Sequence, residues 1–325
     1  ETRRMRSRPG RDEKMIVAWN GMMISALATG NSVLGDACFL EAAGRCADFI
    51  WSHARVDGVL HRIYKNETAW IPGFLDDHAW YLDAQLALYE ASLDSKWIQR
   101  GLILANEMID GFWDEKEGGF FISGKCHDRL ISQIKNPQDE AQPSANAIAA
   151  IALLKLGNLT GRKKYLEKGE KVLRTFQTIL ADQPASATGL LAALDYFLEQ
   201  PSEIVFTGSS EEPEFKKMLR IVHKDFRPSK ILLYAPDEES EALLPIAKGK
   251  KAQGGKPTVY LCQKGTCYPP IQSAEAFENQ LEPPPVIKVN IFDEEKNQKE
   301  LELKQTQDFL GAMSQIFKHS GIDRR

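Results

Sequence analysis

The chain repeats one plan along its first two hundred residues: a break at glycine or proline, a polar cluster, an apolar helix, a turn, then a more charged helix. The apolar helices start near Trp19, Asp77 and Ser144, about 60 residues apart, a period typical of stacked helical units. One helical hairpin cannot cover its own apolar face, so such units must pack on one another. Apolar helices inside and charged helices outside are what an α/α toroid requires. A closed ring needs about twice the helices visible here, so the expected fold is mainly α, an incomplete α/α toroid of repeated hairpins.

The stretch from Pro72 to Ser92 shows the inner type most clearly. Pro72-Gly73 breaks the chain, and Asp76 and Asp77 suit a helix start, where a carboxylate accepts bonds from free backbone N–H groups. Ala79, Leu82, Leu86 and Tyr89 fall on one face, while Trp80, Tyr81 and Leu88 put apolar bulk elsewhere, so this helix is buried on more than one side. The first hairpin is read as helices over 14–29, ended by Gly30-Asn31, and 36–53, with a short strand over 59–64. The second adds a helix over 95–112 and a hairpin over 112–121, turned at Gly118-Gly119. In the third, Ser144 caps a helix that runs to Gly157, a charged partner follows over 162–180, and a helix over 186–199 opens a fourth pair.

After Pro201 strands and helices alternate. Strands over 203–207, 230–234 and 257–261, with a helix over 211–222, predict a small parallel α/β unit. The expected organisation is a basic linker at 1–13, the toroid at 14–200, the α/β segment at 201–281 and a charged, Pro-led tail at 282–325. A net charge of −4 argues against general nucleic-acid binding. There is no uncharged apolar run of membrane-spanning length and no secretory signal. Five cysteines, odd in number and scattered, fit a reducing, cytoplasmic setting better than a disulfide framework. Cys262 and Cys267 enclose four residues, which is neither a redox Cys-x-x-Cys nor half of a zinc site. No nucleotide or metal-protease motif is present, so no cofactor and no metal are expected. The chain opens on Glu1 rather than Met, which reads as a piece of a longer protein.

The candidate chemistry sits at the mouths of the inner helices. Asp76, Asp77 and His78 combine two acids and an imidazole, and His61 in the preceding strand could act as a second base across a cavity. Asp139-Glu140 and Ser144-Ala145-Asn146 place an acid at Glu140, a hydroxyl at Ser144 and an amide at Asn146 before the third inner helix. Trp19-Asn20 stands at the start of the first. Asp76, Trp80, Asp83, Ala87 and Glu90 form a stripe that is either solvated or the lining of a polar basin, with Trp80 as a stacking platform for a sugar. A catalytic reading requires Asp76, Asp77, His78, Glu140 and Trp19 to share one cavity.

An ordered set of short motifs then resembles the YyaL/spermatogenesis-associated protein 20 family. These are Arg8-Pro9 through Lys14, Ala18-Trp19-Asn20-Gly21-Met22-Met23-Ile24, Leu75-Asp76-Asp77-x-Ala79 with Leu88-Tyr89-Glu90-Ala91, Gly118-Gly119-Phe120-Phe121, Pro143-Ser144-x-Asn146, Glu203-Ile204-Val205, and Tyr260-x-Cys262 with Cys267-x-x-Pro270. The resemblance covers about residues 8–281 and implies a thioredoxin-like domain upstream of an α/α toroid similar to N-acylglucosamine 2-epimerases and six-hairpin glycosidases. It implies a sugar-like small molecule and the upstream thioredoxin-like domain as partners, with no nucleic acid and no membrane. The family supplies no catalytic residue to carry over, and the paired histidines of the epimerases have no secure counterpart. Three readings follow: a carbohydrate-active domain that binds or isomerises a sugar, or hydrolyses one; a non-catalytic binding module; or an inactive fragment.

Overall fold

The structure, a computed structural model, describes Arg6 and residues 10–128, 131–199, 201–263 and 266–281. The remainder of the basic linker and the whole 282–325 tail lie outside the described residues.

Strand β1 (Met15–Ile16) leads into α1 (Val17–Leu34), followed by α2 (Ala37–His53). The predicted stop at Gly30-Asn31 is corrected: α1 runs through it and ends at Gly35, whose φ of 72° suits glycine. Gly30 serves packing instead, because a Cβ there would lie 3.6 Å from the Phe39 ring of α2. Asp36 caps α2 by accepting from the Cys38 N–H at 3.0 Å. Strands β2 (Arg55–Val56), β3 (Val59–Lys65) and β4 (Thr68–Pro72) form a small antiparallel sheet with β1, and His61 stands opposite Pro72.

Helix α3 (Leu75–Ser92) buries eleven of its eighteen residues, which requires neighbours on several sides. It has them in α1, in α4 (Lys96–Phe112) and in α5 (Ala145–Thr160). The Tyr81 hydroxyl donates to the Ala47 carbonyl at 2.7 Å and ties α3 to α2. Between α4 and α5, Trp113 bridges Phe120 across a turn in which Gly118 and Gly119 have φ of 83° and 76°. Ser144 occupies the N-cap of α5, yet its hydroxyl donates to the Asn136 carbonyl rather than capping. The charged partner breaks at Phe176 into α6 (Lys163–Thr175) and α7 (Gln177–Asp182), and α8 (Thr188–Leu198) follows. Thus α1, α3, α5 and α8 pack in series as inner helices, backed by α2, α4 and α6. The architecture is mainly α, an incomplete α/α toroid.

The following segment contains β5 (Ser202–Thr207), α9 (Pro213–Lys224), β6 (Lys230–Tyr234), α10 (Glu238–Leu243), β7 (Thr258–Gln263), β8 (Thr266–Cys267) and α11 (Ala274–Gln280). Phe206, Phe215, Met218, Val222 and Phe277 fill its core. The expected parallel sheet is mixed: β6 runs parallel to β5, but β7 runs antiparallel on its other side. Helix α9 provides the crossover that a parallel pair needs, whereas a mostly irregular connection returns the chain to β7 in the opposite sense. One pair of cysteines is joined, while Cys38, Cys46 and Cys126 are free thiols. Pairing of β7 with β8 sets Cys262 opposite Cys267, and a disulfide joins them. Among the described residues, no helix is long and apolar enough to cross a membrane.

Candidate functional site

Strand β3 ends next to the mouth of α3, and its alternation decides which side chain arrives there. Arg62 projects to the face shared with Leu60, and His61 to the other. One guanidinium nitrogen, Nη1, donates to both Asp76 oxygens at 2.8 and 2.9 Å and to Asp77 Oδ2 at 2.8 Å. Asp77 is fully buried and also accepts from the backbone N–H of Ala18 at 2.9 Å and of Phe74 at 3.0 Å. It therefore binds the starts of α1 and α3 to β3. Burial pushes its carboxyl upward and the neighbouring Asp76 charge adds to this, while Arg62 and the two N–H groups oppose it. Nε and Nη2 of Arg62 have no protein partner among the described residues.

These groups open onto a cavity of about 350 Å³ between the mouths of α3 and α5, lined by Arg62, Phe74, Asp76, Asn136, Glu140 and Gln142 among others. Ser144 and Asn146 also line it. Glu140 accepts from the Asn136 side-chain amide at 3.1 Å. Beneath the wall, Asp139 accepts from the Ser144 N–H at 2.8 Å, the Thr188 hydroxyl at 2.7 Å and the Gly189 N–H at 2.8 Å, joining the starts of α5 and α8. Burial alone would raise the Asp139 carboxyl, but these bonds win and hold it below the ordinary range. Asn146 clamps the Phe120 backbone, accepting from its N–H at 2.8 Å and donating to its carbonyl at 3.0 Å.

Of the residues singled out in the sequence, Asp76, Glu140, Ser144 and Asn146 meet in this cavity. Asp77 lies directly behind it, held by Arg62. His78 is turned into the protein, 6% exposed, with Nδ1 3.0 Å from the Phe74 carbonyl and its ring 4.9 Å from that of Phe112. Burial lowers its pKa to about 4, so the ring is neutral at pH 7. His61 keeps Nδ1 3.0 Å from the Val59 carbonyl and lies outside the cavity lining. Trp19 is 60% exposed on α1. Asn20 supports the helix start by donating to the Ile16 carbonyl at 2.8 Å. Trp80 lies outside the cavity lining as well, and its Nε1 is buried without a partner among the described residues. The cavity thus unites two of the five groups that a catalytic reading requires, and adds Arg62, Phe74 and Asn136. Sequence reasoning missed Arg62, because which of His61 and Arg62 faces the mouth of α3 depends on the register of β3.

No protein-family model matches the chain. Human spermatogenesis-associated protein 20 is 30% identical over 299 residues, which is 87% of this chain and 38% of that protein. The rat protein of that name is 31% identical over 289 residues, 83% of this chain and 36% of that protein. The chain spans a little over a third of the length of these curated relatives. Among solved structures, a GH76 alpha-mannanase of Bacteroides thetaiotaomicron superposes with a TM-score of 0.47 and 14% identity, over 58% of this chain and 54% of that one. The family that the motifs resemble, that of spermatogenesis-associated protein 20, is the one whose curated members this chain matches over more than four fifths of its length.

Proposed function

We propose that the cavity between the mouths of α3 and α5 binds a neutral, sugar-like ligand. The observation that carries this is the Arg62–Asp76–Glu140 lining. A sugar hydroxyl both donates and accepts, and here carboxylates, side-chain amides and the unengaged edge of a guanidinium offer both partners at close quarters. Phe74, stacked on His127 at 4.3 Å, adds apolar surface to the lining. Two lining carboxylates, Asp76 and Glu140, against one guanidinium disfavour an anionic sugar.

Binding is the leading reading over isomerisation. Both histidines lie outside the cavity lining, so any proton transfer would rest on Asp76 and Glu140, and Arg62 already grips Asp76. A non-catalytic module that serves an upstream thioredoxin-like domain in a longer chain fits the same geometry. Calorimetric titration with neutral mono- and disaccharides and the matching uronic acids tests the proposal. A neutral sugar is expected to bind, and Asp76→Asn and Glu140→Gln each to weaken it by about tenfold. Equal binding by the variants, or preference for the uronic acid, refutes it. Incubation of the bound sugar in D2O separates the readings, since deuterium entering a ring carbon shows isomerisation and its exclusion leaves a binding module.

A further inference from the structure

A second cavity, of about 560 Å³, lies toward the opposite ends of the inner helices. Asp76 and Glu90 mark the two ends of α3, about 21 Å apart along its axis. The second cavity is walled by α1, α3, α5 and α8 and closed by the connection from α9 to β6. Val33, Leu86, Ile151, Leu159 and Phe226 make much of this wall apolar. Its charged centre is unbalanced. Glu90 of α3 pairs with Lys230 at the start of β6, while Lys155 of α5 has no carboxylate within 4.0 Å among the described residues. Lys230, and less strongly Lys155, hold the Glu90 carboxyl below the ordinary range against the effect of burial. Lys230 thus holds the carboxylate at close range, while Lys155 acts on it only at a distance.

Two further polar groups of the lining stand unmet. Ser229, 9% exposed, lines the cavity, and its hydroxyl has no partner among the described residues. Nε2 of His223 is buried in the same condition. The other lining cations, Lys224 and Arg227, are paired with Glu278 and Asp225. On the facing walls, Asp83 accepts the Ser25 hydroxyl at 2.7 Å and Asp195 is exposed to water. An added acceptor would satisfy both the unmet Ser229 hydroxyl and the half-buried Lys155 ammonium that has no carboxylate close by.

We propose that this cavity binds a small organic carboxylate with an apolar body, its carboxylate taken by Lys155 and Ser229. Its volume lies in the range of sites for small molecules. The test is calorimetric titration of the full chain with 4-phenylbutyrate, its uncharged amide and 4-phenylbutylamine. The acid is expected to bind, with the amide and the amine weaker by about tenfold or more. Lys155→Gln, checked for native circular dichroism, is expected to weaken the acid by about tenfold, and Ser229→Ala by about threefold. Asp76→Asn is expected to leave acid binding unchanged, which separates this site from the sugar-like site. Amide or amine binding equal to the acid, unchanged affinity in both variants, or no acid binding up to about 10 mM overturns the proposal.

Discussion

Arg62 satisfies three carboxylate oxygens with one nitrogen, and the most demanding of them belongs to Asp77, which has no exposure at all. Arg62→Met keeps most of the aliphatic stem but leaves that carboxylate facing Asp76 without a cation. The expected loss is about 2–4 kcal/mol by urea unfolding, a little under the roughly 3–5 kcal/mol of a fully buried pair because Arg62 is partly exposed. The sign of its pH dependence is fixed. Without Arg62 the Asp77 carboxyl rises further, and a raised carboxyl favours the fold below its unfolded value and loses that benefit as pH climbs through its folded value. The deficit against the parent should therefore be larger at pH 8 than at pH 5, and a deficit independent of pH would remove the assigned charge pairing. The polar mouths were legible in the sequence because an inner helix must begin with exposed N–H groups that polar residues satisfy. Arg62 was not legible, because choosing it over His61 needs the register of β3, and nothing local to either residue sets that register.

Helices α1 and α3 meet at Gly21, where a Cβ would fall 2.8 Å from the backbone carbonyl of Trp80. Gly21→Ala is compatible with a helix in itself and even favoured by propensity, so the clash decides the outcome. The expected cost is about 1–3 kcal/mol, read as a fall in the thermal midpoint; a stabilised variant would show that the helices do not approach this closely. Gly21 and Gly30 illustrate why element ends were harder to read than elements. A glycine in a helical pattern signals either a stop or a close contact, and only the neighbouring helix tells which. Helix α3 itself was legible because apolar residues on several faces have one physical explanation, burial on several sides. The sense of β7 was not legible, since it depends on the path of a long connection that carries little periodicity.

Across the whole molecule, His78 among the hairpins and His223 on α9 are both lowered by burial, each to about 4. A lowered histidine contributes stability that is complete above about 6.5, its unfolded value, and is lost as pH falls toward the folded value. The raised Asp77 carboxyl works the other way in the same window, and the raised Glu107 and Asp195 carboxyls add to it to a smaller extent. The net expectation is a loss of about 1 kcal/mol per pH unit on acidification from pH 6.5 to 5, seen as a falling urea midpoint. A flat or rising midpoint over that interval would mean that the two imidazoles are not buried as described.

The inner helices of the arc stand in series, and those carrying groups to both cavities, α3 and α5, are hemmed in on either side. In such quasi-linear packing each unit answers mainly to its neighbours. The outermost hairpins can therefore drift, lengthen or be exchanged over evolutionary time while the packing of α3 against α5 stays in place, and divergence between relatives should gather at the margins of the arc.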